Sequence, residues 1–238
     1  MWLWILAAAA AFYIKGLCGF ANTLVFTTIL GFGASNVNIS PVELVLGYPA
    51  NIMLAWKNRK SLSAKVYIPL SLLVLAGNIP GAFLLKNADA RFIKIIFGVV
   101  VVLLGAEMLY REKRRKPARE SKAVLGIIGV ISGVLCGLFG VGALLAAYVG
   151  RVTDTGDEFK ANICAVFIVE NTFRIILYSF LGIITAASLK QSLAMMPFVF
   201  AGLFAGMKSS RVLNDKTVKK LVVVFLIISG FALILKNI

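Results

Sequence analysis

The apolar and polar stretches of the chain divide it into eight apolar segments, at 2–33, 41–56, 66–85, 92–110, 123–149, 159–182, 191–207 and 218–236. Several reach the ~20 residues that a helix needs to cross ~30 Å of hydrocarbon. The pattern predicts an all-α polytopic membrane protein, multi-pass and embedded in the lipid bilayer. The basic run "REKRRKPARESK" at 111–122 separates the segments four and four. It marks off a first membrane repeat at 1–110, a basic cytoplasmic linker at 111–122 and a second membrane repeat at 123–238.

The two halves repeat each other. "LAGNIPGAF" (75–83) matches "FAGLFAGMK" (200–208) at an offset of 125, pairing Gly77 with Gly202 and Gly81 with Gly206. The same offset pairs Lys65 with Lys190, Lys94 with Lys219 and Gly105 with Gly230. Upstream, "LCG" at 17–19 matches "LCG" at 135–137 at an offset of 118. An internal duplication of this kind is a common way to build a transporter.

Two segments are too long for one straight crossing. Residues 2–33 would make a helix of about 48 Å, and 123–149 one of about 40 Å. Each carries glycine and cysteine near its middle, in "KGLCGFANTL" and "GVLCGLFGVGALL". Glycine costs a helix interior up to ~1 kcal/mol, but it permits a turn and a close backbone approach. The expectation is therefore a broken or re-entrant helix at 2–33 and another at 123–149. If both re-enter, 18 Lys/Arg fall in cytoplasmic loops and 5 outside; if both span, the partition is 13 to 10. The positive-inside rule favours re-entry. Each half then crosses three times, so the halves are inverted repeats. The rival is an eight-span protein with parallel halves and two kinked helices.

Composition narrows the function. Hydrophobic residues make up 60% of the chain, charged residues 15%, and the mean hydropathy is +0.93. There is no histidine, and Cys18, Cys136 and Cys164 lack metal-ligand spacing. With only ten acids, a membrane metalloenzyme is disfavoured; no metal, cofactor or catalytic residue is expected. The net charge of +15 fits cytoplasmic loops rather than nucleic-acid binding. The amino terminus has no basic n-region, so a cleaved signal peptide is not expected.

Polar residues inside apolar segments are functional candidates, because a charge at the bilayer centre costs ~2.5–3.5 kcal/mol even on the lenient scale. Lys15, Gly19, Asn22 and Thr23 surround the first break, and Gly137 and Gly140 the second. Asn51 lies beside Pro49, and an offset of 120 places it against Asn171. In "VENTFRIILY", Glu170 and Arg174 share a helix face, with Asn171 and Tyr178 close to it. Structural roles stay open: a self-neutralising Glu170–Arg174 pair, a snorkelling Lys15, asparagines as interhelical hydrogen bonds. The embedded cations Lys15 and Arg174 come from opposite halves, and helix breaks present positive dipole ends. The set favours an anion, since Glu170 is the only acid read as well inside. Glu170 is the candidate for carrying a coupling proton. Cys18 and Cys136 fall at equivalent places, as packing residues or as a sulfur relay.

These glycine motifs, the pairs Gly77/Gly81 and Gly202/Gly206 and the basic central loop resemble those of the TauE/SafE sulfite-exporter family, the 4-toluene sulfonate uptake permeases. The second motif departs from the family's triple glycine and proline with "GVGALLAAY", and Asn22 stands where glycine is common. The resemblance implies a secondary transporter of a small sulfur-containing oxyanion, such as sulfite, sulfoacetate or another organosulfonate, across a bacterial inner membrane. A homodimer is an expected partnership. No P-loop is present, so energy must come from a gradient. A cation or metal permease, and a non-transporting subunit of a membrane complex, are the alternatives.

Overall fold

A computed structural model describes residues 2–113 and 122–210 and scattered positions from 224 onward. Most of the linker and of the last apolar segment, with Lys216 and Lys219, lies outside the described residues. Nine α-helices fill the described chain: α1 Trp2–Cys18, α2 Asn22–Gly31, α3 Asn36–Lys57, α4 Ala64–Asn87, α5 Ala90–Lys113, α6 Lys122–Phe139, α7 Ala143–Val152, α8 Gly156–Phe180 and α9 Ala186–Ser209. The protein is an all-α polytopic membrane protein. Helices α4, α8 and α9 are each long and apolar enough to cross a membrane. Helix α3 has comparable length at 22 residues, but carries Glu43, Asn51, Pro41 and Pro49 along it. Large apolar side chains such as Trp2, Trp56, Leu72, Phe180 and Leu193 face outward, as lipid contact requires.

Both overlong segments are broken. Helix α1 ends where Gly19 takes φ +84° and Ala21 takes φ +70°. The Gly19 amide closes the last turn on the Lys15 carbonyl at 2.7 Å. Helix α6 ends the same way, with Gly140 at φ +72° and its amide on the Cys136 carbonyl at 2.8 Å. Glycine takes this left-handed conformation without the ~1–2 kcal/mol that a side chain adds. The first break is a reversal. The Trp4 and Phe26 rings meet edge to face at 5.9 Å, whereas a straight continuation would hold those residues about 33 Å apart. Helix α2 therefore returns along α1, and a kinked spanning helix is ruled out there.

Packing exchanges elements between the halves. The two most extensive helix pairs are α4 with α6 and α1 with α9. Small residues make both possible. A Cβ on Gly77 would run into the Val130 carbonyl, and one on Gly202 into the Ala9 carbonyl. Likewise Gly81 lies against Val134 and Gly137, and Gly206 against Tyr13 and Gly16. Close approach of this type drives helix association where no hydrophobic effect acts between helices.

These contacts correct the register of the repeat. Ala9 corresponds to Val130, Tyr13 to Val134, Gly16 to Gly137 and Gly19 to Gly140, an offset of 121 rather than 118. Cys136 is thus the counterpart of Lys15, and Cys18 is the counterpart of Phe139. The matching "LCG" strings are a coincidence of composition; the turn-closing glycine and the helix crossings set the true equivalence.

Candidate functional site

Helices α2 and α7 both start at a break, and neither start has a side-chain cap; their N-cap residues are Ala21 and Gly142. The first-turn amides of a helix have no intrahelical acceptor. Both starts face the same buried cavity, of about 20 Å³, on the scale of one water molecule. Lys15, Asn22, Thr23, Glu43, Asn51, Gly140, Asn171 and Arg174 line it. The lysine and the arginine are each only 1% exposed.

A continuous polar network joins six helices here. Lys15 Nζ donates to Asn22 Oδ1 at 2.9 Å. Asn22 Nδ2 and Thr23 Oγ1 then donate to Glu43 Oε1 at 2.5 and 2.7 Å. Glu43 Oε2 lies 3.8 Å from Arg174 Nη2. Arg174 Nε lies 3.2 Å from Glu170 Oε1, an ion pair not aligned as a hydrogen bond. Asn78 Nδ2 on α4 donates to that same Glu170 oxygen at 2.9 Å. The guanidinium is further fixed by the Cys136 carbonyl at 2.6 Å and Asn171 Oδ1 at 3.3 Å. Tyr178 supports the break from behind, donating to the Gly137 carbonyl at 2.6 Å.

Lys15 differs from Arg174 in its company. Among the described residues it forms no ion pair; its ammonium meets Asn22 and lies 5.6 Å from the centre of the Phe167 ring. Asn51 Oδ1 is buried and has no hydrogen-bond partner among the described residues. The cavity thus keeps an under-used cation and an under-used amide beside the two helix starts.

Seven of the residues singled out from sequence meet at this cavity: Lys15, Asn22, Thr23, Asn51, Gly140, Asn171 and Arg174. Three stand behind it. Gly19 lies against the Lys160 side chain, Gly137 sits in the α4–α6 crossing, and Glu170 is held between α4 and α8. Glu43 and Asn78 were missed. Reading Glu170 as the only embedded acid is therefore corrected: Glu43 is also buried, at 2% exposure, and the buried charged side chains among the described residues are two cations, Lys15 and Arg174, and two acids, Glu43 and Glu170. Glu43 has no oppositely charged residue three or four positions away on its own helix, so its partners Asn22, Thr23 and Arg174 are visible only after folding. The acid within the apolar run "SPVELVLG" was the available signal.

Buried opposite charges and two helix breaks meet around one cavity of a polytopic membrane protein. The chain belongs to the TauE/SafE sulfite exporter family, whose family model matches residues 4–233, nearly its whole length. No curated protein and no solved structure matches the chain. The family implies a membrane transporter.

Proposed function

We propose that the protein is a secondary transporter that moves a small sulfur-containing oxyanion, such as sulfite, sulfoacetate or another organosulfonate, across the bacterial cytoplasmic membrane by alternating access. The observation that carries this reading is the convergence of two uncapped helix N-termini on the cavity that holds Lys15 and Arg174. Each N-terminus acts as roughly half a positive charge, and its free amides are hydrogen-bond donors for an anion. The carboxylates do not offer a cation site, because Glu43 and Glu170 already accept from donors or pair with Arg174. A substrate larger than one water needs the walls to part. Since α1 packs on α9 and α4 on α6, rocking one pair against the other separates the two breaks while each glycine crossing stays intact.

A second cavity of about 380 Å³, bordered by Gly16, Lys57, Lys160 and Ser210, serves in this reading as the cytoplasmic vestibule. Its lysines suit anion access, and the positive-inside rule places them in the cytoplasm. Purified protein in proteoliposomes, tested with sulfite, sulfoacetate, methanesulfonate and sulfate, provides the test. Saturable flux of at least one sulfur oxyanion is expected. Flux of a metal cation instead, or of nothing, overturns the reading in favour of a cation permease or a non-transporting subunit.

A further inference from the structure

Glu43 is the buried group that anion binding disturbs most. Its Oε1 is saturated by Asn22 and Thr23, while its Oε2 has only the long 3.8 Å approach to Arg174. A Cβ on Gly140 would stand 2.7 Å from Arg174 Nη1 and 3.0 Å from Glu43 Oε2, so the second break touches both groups at once. An anion that reaches Arg174 from the cavity must therefore come in beside Glu43 Oε2. Among the described residues, the titratable groups around Glu43 are Lys15 on α1, Cys136 on α6, and Glu170, Arg174 and Tyr178 on α8; α2 presents the neutral Asn22 and Thr23. The two cations and two carboxylates balance, so among the side chains an added anion leaves a buried negative charge that only the partial charges of the two helix starts offset. Burying an unpaired charge is costly, and a carboxylate relieves that cost by binding a proton. Glu170 is less suited. It does not line the cavity, and its Oε1 is held by both Asn78 and Arg174.

On the basis of the anion-transport reading, we infer that Glu43 is the proton-coupling site: one proton from bulk water forms an O–H bond at Oε2 as the anion pairs with Arg174, and the two cross the membrane together. The cluster gains one negative and one positive charge and stays balanced. Reopening on the other side releases both.

The test is calorimetry of binding of the monoanion methanesulfonate to the purified full-length protein. Methanesulfonate stays fully ionised from about pH 6 to about pH 8, and the titrations use two sulfonate-free buffers of different ionisation enthalpy. Wild type is expected to take up about one proton per anion, with Kd weakening about tenfold per pH unit. Glu43→Gln should bind with no proton uptake and no pH dependence. In wild type, infrared difference spectra on anion addition should show a protonated carboxyl band. Glu43→Asp should shift that band, which keeps the test valid if the glutamine variant does not fold. Binding without proton uptake in wild type, or uptake that persists in Glu43→Gln, overturns the inference and leaves anion transport standing. If neither methanesulfonate, sulfoacetate nor sulfite binds wild type, the transport reading falls and this inference with it.

Discussion

Gly140→Ala tests the site against its own control, Gly19→Ala. Both glycines hold a left-handed φ, +72° and +84°. A side chain in that conformation costs about 1–2 kcal/mol at either position. The surroundings differ. At 140 the new Cβ meets Arg174 Nη1 at 2.7 Å and Glu43 Oε2 at 3.0 Å, well inside contact distance. The guanidinium cannot yield freely, since the Cys136 carbonyl holds it at 2.6 Å and Glu170 at 3.2 Å. At 19 the Cβ meets the Lys160 Cγ, part of a flexible stem that can swing aside. Both variants should therefore lose similar stability in detergent thermal unfolding. Only Gly140→Ala should lose anion binding. Misplacing one hydrogen bond to a charged group costs about 1.5–3 kcal/mol, which is about tenfold to about 150-fold in Kd at 1.36 kcal/mol per factor of ten. Calorimetry with methanesulfonate reads the difference. Wild-type affinity in Gly140→Ala, or an equal loss in Gly19→Ala, would refute the placement of the site at the second break.

Arg174→Gln alone strands two buried carboxylates and should destabilise the protein by about 3–5 kcal/mol. The double variant Glu170→Gln with Arg174→Gln should recover folding, seen by size-exclusion chromatography, yet still fail to bind the anion; recovered binding would make the pair purely structural. Lys15→Gln should fold and weaken binding by about tenfold, the order of one charge-assisted hydrogen bond, in the same calorimetric assay. Gly77→Val and Gly202→Val should each cost about 1–3 kcal/mol by overpacking equivalent crossings, and melting temperatures that differ widely between them would contradict the equivalence. Single cysteines at 33 and 154, on a background without Cys18, Cys136 and Cys164, should label from outside and inside the cell respectively. External labelling at 154 would sink the inverted arrangement.

Local chemistry made the membrane class, the family resemblance and the two breaks legible before folding. Glycine at 19 and at 140 interrupts an overlong apolar run, and only a residue without a side chain tolerates the backbone found there. The glycine pairs 77/81 and 202/206 were legible as a repeat, because a helix that another backbone must touch leaves room at every fourth position. What those glycines touch was not legible. The α4–α6 and α1–α9 crossings join residues from opposite halves, and these contacts moved the register of the repeat from 118 to 121. The site followed the same division. Lys15, Asn22, Asn51, Asn171 and Arg174 stood out because burying polar groups in lipid is expensive wherever they occur. Glu43 did not stand out as part of the site, because its value there depends on Asn22 and Thr23 from α2 and Arg174 from α8. Sequence order shows the cost of a buried charge; only three-dimensional packing shows which partners offset it, and hence that two buried cations face two buried carboxylates.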